Sequence, residues 1–376
     1  MKHFRTIFAF LALLSGIWLA PARAGVVNPD ISILGQPTMT WTDAKEVNGQ
    51  PVTDRKRLRL DPGETEIVFD SYLNPYARGM FTLSLGSDGI GLEEGYFTIL
   101  RGLPGGLNVK GGKYRVGFGK LNPSHSHTYP FPDRFRVLRQ YLPGEDSFNE
   151  TGISLSERLP LPGDLSVIAS ADYLQGDSFH PGGQGTAPDS RSGETRPAVL
   201  GRLEAFTMVG ERSGLEFGMS AVQGTNNVAA GTRTTVLGLD AKAKLWKSAS
   251  SYLVLQAEAL GLDRENAAWD STVRGFGKTT TTPKGAYIFA DYNFGIRYDL
   301  GASFERYQQP TSAKSWDQGY QLFAGYSLME ETTVFRLSWE HFAPGRPDPM
   351  GVTPDAANTL TLRVIYSMGP HKAHQF

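Results

Sequence analysis

Between Leu237 and Leu245 the odd positions are all apolar (Leu237, Leu239, Ala241, Ala243, Leu245), while the even ones are small or charged (Gly238, Asp240, Lys242, Lys244). A helix would scatter that apolar set around its axis, whereas a strand with a side-chain period of two gathers it on one face. Ile296–Glu305 repeats the pattern, with Ile296, Tyr298, Leu300, Ala302 and Phe304 set against Arg297, Asp299, Gly301, Ser303 and Glu305. Leu165–Tyr173, Leu215–Val222 and Phe335–His341 follow it too, and a last such stretch sets Leu360, Leu362, Val364, Tyr366 and Met368 against Thr361, Arg363 and Ser367. The alternation predicts strands over residues 65–73, 76–86, 91–101, 107–120, 150–160, 163–175, 197–208, 214–224, 233–247, 250–262, 284–293, 295–307, 318–329, 332–342 and 357–368. In 107–120 the apolar parity changes after Val109, and Gly111-Gly112 reads as a β-bulge that keeps Lys110, Lys113 and Arg115 on one side.

Alternation alone fits a soluble sandwich as well as a barrel, but the connectors separate the two. Pro162-Gly163, Glu211–Gly214 and Lys247–Ser250 are tight, while 121–149, 176–196, 263–283 and 343–356 are long and rich in Gly, Pro, Ser and Thr. Short turns on one rim and long loops on the other mark a transmembrane antiparallel up-and-down β-barrel, with the long loops extracellular and the short turns periplasmic. For the last strand to run inward, an outward strand must precede 65–73, and Ile31–Trp41 is the only candidate. That gives an all-β barrel of about 16 strands, or about 14 if this segment stays unpaired. Closure is required because lipid cannot satisfy an open sheet edge.

The ends of the chain agree with export. Lys2 and Arg5 precede an apolar run from Thr6 to Ala20, and Pro21-Ala22-Arg23-Ala24 ends in small residues. This is the form of a cleaved signal peptide at 1–24, and the run is too short for a retained membrane helix. Residues 25–63 are then an N-terminal segment with a candidate first strand and loop, 64–368 the barrel, and 369–376 a periplasmic tail. The chain has no cysteine, which excludes disulfides and thiolate metal sites. Its formal charge of −1 becomes about −4 once Lys2, Arg5 and Arg23 leave with the signal, which argues against a nucleic-acid partner. The expected surroundings are outer-membrane lipid and, through the C-terminal strand, the barrel-assembly machinery; no interface signal fixes the oligomeric state.

Turning the polar faces inward places Lys110, Lys113, Arg115, Asp240, Lys242, Lys244, Arg297, Asp299, Arg336 and Arg363 along the lumen. With Arg202, and with Asp172, Glu204, Glu216, Glu258, Asp291, Glu305 and Glu340 on the same faces, acidic and basic groups balance there at nine each. They can form a polar conduit, or an interior salt-bridge network that fills the barrel. The densest motif is Gly119–Arg134, in which His125 and His127, with Asp133 as a third ligand, are candidates for zinc or copper. His-x-His alone is a weak signal, and the plainer reading of the same residues is an ordered loop with both rings bonded to backbone. With Arg134, Arg136 and Arg139 the loop can also fold inward as a basic constriction. His371 and His374 in the tail are a second pair, on the opposite side of the membrane from the first, ahead of a terminal Phe376. No Gly-x-Ser-x-Gly element is present, and His341 on an apolar strand face is unremarkable near a strand end, so an enzyme is not expected.

Several segments resemble a group of proteobacterial outer-membrane barrels. They are Asn28-Pro29-Asp30-Ile31-Ser32, Leu73-Asn74-Pro75-Tyr76, Leu92-Glu93-Glu94-Gly95-Tyr96, Leu103-Pro104-Gly105-Gly106-Leu107 with Gly112-Lys113, the stretch from Leu121-Asn122 to His127 with Phe131 and Asp133-Arg134, and the His-x-x-His tail. The group is labelled zinc-regulated TonB-dependent outer membrane receptor and is distantly similar to phosphate-selective porins. The likeness covers most of the chain and is strongest over 28–155. It implies an outer-membrane barrel, with zinc as a regulator of expression or as a ligand. The receptor part of the label conflicts with length, because such receptors carry a plug of about a hundred residues before a 22-stranded barrel. Energised transport is therefore not expected. Passive or weakly selective passage of small solutes or ions is the leading expectation, and a non-transporting barrel whose loops bind metal or a partner is the alternative.

Overall fold

The computed structural model describes residues 28–370 except 48–49, 54, 88, 145–146, 180–190, 192, 195, 273, 311–312, 329–331 and 346–354. The proposed leader at 1–24 and the tail histidines His371 and His374 lie outside the described residues.

The described residues build a closed antiparallel barrel of 16 strands. In chain order these are β1 (Asp30–Gly35, continued by Thr38–Thr42), β2 (Leu58–Asp61, continued by Thr65–Asn74), β3 (Ala77–Gly86), β4 (Gly89–Ile99) and β5 (Asn108–Arg115). After the longest connection come β6 (Asn149–Leu159), β7 (Ser166–Leu174), β8 (Ala198–Val209), β9 (Ser213–Asn227), β10 (Thr232–Trp246) and β11 (Tyr252–Asp270). The set ends with β12 (Gly275–Thr281, continued by Lys284–Phe294), β13 (Tyr298–Gln308), β14 (Trp316–Ser327), β15 (Thr333–Ala343) and β16 (Ala357–Met368). Each strand pairs with its sequence neighbour, and β1 closes the ring on β16 with Ile33 opposite Met368 and Thr38 opposite Arg363. The segment 31–41 is thus a wall strand, which settles the count at 16 rather than 14.

Alternation sorts the two faces. Leu239 on β10 is 60% exposed and Leu300 on β13 is 59% exposed, while their neighbours Asp240 and Asp299 are each 6% exposed. A wall that presents leucine outward and buries carboxylates inward is stable only where the outside is apolar, as in a bilayer. The seven connections on one rim are short, and the long ones (43–57, 116–148, 175–197 and 344–356) lie on the other, which also carries tight links such as Gly86 to Gly89.

Three local expectations are corrected. Residues 263–283 are not a loop: β11 and β12 pair on from Arg264–Thr281 to Asp270–Gly275. With polar side chains on both faces the segment loses its apolar alternation, but backbone pairing continues beyond the apolar belt. No bulge occurs at Gly111-Gly112, where β5 stays in register with both β4 and β6. Gly112 instead has a φ of +131°, and a Cβ there would sit 2.2 Å from the Gly95 carbonyl oxygen. Finally, β5 ends at Arg115, and Tyr114, Val116 and Phe118 face the interior, each at most 1% exposed.

Candidate functional site in the barrel interior

The connection from β5 to β6 does not stand off the rim but folds into the barrel. Its apolar residues explain the direction: Val116, Phe118, Leu121, Tyr129, Phe131, Phe135, Val137 and Leu138 are too apolar for a solvated loop. They pack on inward residues of distant strands, including Leu200, Val236, Tyr287, Phe289 and Phe323. Phe131 has its ring centroid 5.3 Å from that of Phe289 and 5.8 Å from that of Phe323, and Phe135 stacks on Tyr287 at 4.0 Å.

Polar anchors fix the segment along its length. Gly119 has a φ of +63°, and a Cβ there would lie 2.1 Å from a Glu258 carboxylate oxygen. Without that Cβ, the backbone N–H groups of Lys120 and Leu121 donate to Glu258 Oε1 at 2.9 and 2.8 Å, and Tyr287 donates to the same oxygen at 2.6 Å. Lys120 reaches Glu204 at 2.9 Å and also pairs with Glu216. Burial works against the Lys120 ammonium, but these two carboxylates outweigh it and hold its pKa above the ordinary lysine value. Further on, Arg136 pairs with Glu305 at 3.1 Å and with Glu340, and lies 4.0 Å over the ring of Phe342. It opens the short helix α1 (Arg136–Tyr141), from which Tyr141 donates to the Gln308 carbonyl at 2.9 Å.

The segment also meets the closing strand. Arg363 on β16 is 2% exposed and donates to four of its carbonyls, those of Ser126 (3.0 Å), Tyr129 (2.7 Å), Phe131 (2.9 Å) and Pro132 (3.2 Å). Beside it, Ser126–Thr128 forms one 3₁₀ turn that puts His125 and His127 on the same side, their ring centroids 5.5 Å apart. His125 Nδ1 lies 3.0 Å from Glu66 Oε2, and its Nε2 is 2.8 Å from Glu94 Oε2. His127 Nδ1 lies 3.3 Å from Glu66 Oε1. Burial disfavours a charged His125 ring, but Glu66 and Glu94 overcome it and its pKa is pushed up to about 10.

No family model matches the chain. An uncharacterized protein of Aquifex aeolicus (strain VF5) is 30% identical over 254 residues, which cover 64% of this chain and 52% of that protein. The chain therefore spans about half the length of this relative. Among solved structures, the anion-selective porin of Comamonas acidovorans superposes with a TM-score of 0.59 at 12% identity, over 90% of this chain and 100% of its own. OprB of Pseudomonas putida gives 0.58 at 11% identity over 91% and 94%, and OmpF of Salmonella typhi 0.56 at 13% over 91% and 98%. The fold is that of the porins. The TonB-dependent receptor label finds no support, for this porin-fold barrel has 16 strands and an interior occupied by a segment from its own wall.

Within this porin fold, the charged residues singled out along the chain separate into groups. Asp240 pairs with Arg202 at 2.6 Å and Asp299 with Arg336 at 2.9 Å, all on the inner face. Lys110 lies 4.7 and 5.2 Å over the inward rings of Tyr96 and Tyr114. Lys244 sits 4.5 Å over Tyr252, on the same face as Lys242 and Asp240. Arg115 is drawn in at the strand end, pairing with Glu93 and donating to the Ser124 carbonyl at 2.7 Å. Two do not line the lumen. Lys113 alternates with the inward Tyr114 and so takes the outer face, its ammonium reaching the Leu92 carbonyl at 2.7 Å. Arg297 is exposed in the turn between β12 and β13, because the strand begins only at Tyr298. Asp133 is exposed and does not join the two histidines. It lines a cleft with Arg139, Gln321 and Thr359, and Glu66 from β2 stands beside His125 and His127 instead. Glu66 was missed because 59 positions separate it from His125; its sequence signal is the parity it shares with Asp70 along the strand.

Proposed function

We propose that the protein is an outer-membrane channel for passive passage of small hydrophilic solutes, its path narrowed by the segment 116–148. The observation that carries this reading is the segment itself: a piece of the wall anchored across the lumen of a porin-fold barrel whose interior is lined by charge. The proposed path runs beside it, along the inward faces of the wall strands. Most interior charges are paired locally, as in Arg202–Asp240, Arg336–Asp299, Lys120–Glu204 and Arg136–Glu305. Paired charges leave little net field, so only weak discrimination between small anions and cations is expected. The test is single-channel recording of the folded protein in planar bilayers, with a reversal potential under a salt gradient. Discrete openings with a reversal potential close to zero are expected.

One observation favours a second reading. Phe131, Val137 and Leu138 on the segment have no exposed surface, so the interior is tightly packed along part of its length. A barrel closed there would serve as a non-transporting surface protein. Folded protein that inserts yet carries no current would sink the channel reading and leave this one.

A further inference from the structure

We propose that Glu66, His125 and His127 form a buried site for one divalent transition-metal cation, which ties the inward segment to β2. The donor atoms of the three residues all lie within 4.8 Å of one another. The carboxylate of Glu66 faces both rings, one oxygen 3.0 Å from His125 Nδ1 and the other 3.3 Å from His127 Nδ1. Ligands on a common tetrahedral zinc, at bond lengths of about 2.0–2.1 Å, sit about 3.3 Å apart.

A hydrogen-bonded pair does not account for the cluster. Glu66 Oε2 and His125 Nδ1 are buried and 3.0 Å apart, close enough for an ion pair with a protonated ring, yet they do not meet hydrogen-bond geometry. A third such atom, Glu93 Oε2, lies 3.8 Å from the same Nδ1 and is placed as a fourth donor. Buried polar atoms left without an aligned hydrogen bond are rare and call for an explanation, and a cation among these three satisfies them together.

The ring is also oriented as a ligand. With a cation bound in place of the Nδ1 proton, Glu94 at Nε2 would hold the remaining ring proton and leave Nδ1 facing Glu66 as a ligand, the carboxylate–histidine arrangement that tunes metal ligands. Gln36 Nε2 donates to Ser126 Oγ at 2.7 Å, and Arg363 holds the Ser126 carbonyl, so the backbone between the two histidines is fixed from β1 and β16. Charge points the same way. Glu66, Glu93 and Glu94 face the His125 ring and only Glu93 among them is paired with a guanidinium, that of Arg115, so a dication is matched by the remaining carboxylate charge. Two imidazoles with carboxylate suit zinc and its neighbours rather than calcium or magnesium.

The experiment uses the full chain refolded in detergent and stripped with chelator, zinc as the probe, and calorimetry with elemental analysis as readouts. His371→Ala/His374→Ala serves as the background, which removes the tail pair. About one zinc per chain is expected there. Stoichiometric binding should be lost in His127→Ala and Glu66→Gln, unchanged in His341→Ala, and weakened about 10- to 100-fold in Glu94→Gln. Heat-modifiability on gels reports that each variant is folded. Should Glu66→Gln fail to fold, the visible absorption of cobalt bound to the background protein, and its loss in His127→Ala, decides the matter. Folded background protein that retains no zinc shows a protonated His125 held by carboxylates and overturns the proposal, as does zinc binding that His127→Ala leaves intact.

Discussion

Asn122 uses both ends of its amide on the neck of the inward segment. Its nitrogen donates to the carbonyls of Val116 (2.7 Å) and Phe148 (3.1 Å), and its oxygen accepts from Arg134 (2.7 Å) and the Phe148 N–H (2.9 Å). The residue has no exposed surface, so Asn122→Ala strands buried partners rather than releasing them to water. A loss of about 2–3 kcal/mol is expected, read as a lower urea midpoint of the refolded protein in micelles. At this scale the sequence was partly legible. Period two put Asp240 and Asp299 on the inner face, because a charge cannot face lipid. It could not show that Arg363 would be buried against four carbonyls, since those lie more than 230 positions away in the chain.

Among the elements, the segment 116–148 is where the sequence and the fold part most. Its Pro, Gly and polar residues marked a loop, and the inward turn was one of several readings. The decisive signal was present in Phe118, Tyr129, Phe131, Phe135 and Phe148, but aromatic content does not say which wall the rings will meet. Arg136 is the anchor most open to test. Its removal leaves Glu305, with 4% side-chain exposure, buried without its cation. Breaking a buried pair from one side costs about 3–5 kcal/mol, enough to loosen α1 from β13. Arg136→Ala is expected to raise single-channel conductance and its noise, whereas Glu157→Ala, far from the segment on β6, should leave both unchanged. Identical traces for Arg136→Ala and the parent would show that the segment does not set the path. The β11–β12 extension is another element hidden from the sequence, because ladder pairing does not require apolar alternation once both faces are wet.

For the whole molecule, the outward belt decides that the barrel sits in lipid. Leu237 and Leu239 on β10 and Leu322 on β14 are each more than half exposed, a surface that water would drive to aggregate. An arginine at the middle of such a belt costs about 2–4 kcal/mol. Leu239→Arg should therefore shift the urea-driven folding equilibrium into lipid vesicles by that amount, while Lys244→Arg, which keeps a cation on the inward face of the same strand, should not show this lipid-specific penalty. A shift of similar size for both would argue that Leu239 does not face the bilayer.

The sequence by itself determined the barrel. A side-chain period of two, a sorting of loop lengths and the need to close every sheet edge left little choice of wall, of inside and outside, or of strand parity. These are local or topological constraints that each strand states separately. What only the tertiary structure decided is the interior: the fold-back of 116–148, the clamp of Arg363, and the meeting of Glu66 with His125 and His127. Those contacts join residues tens to hundreds of positions apart, and they exist only once ring closure brings opposite strands to face one another.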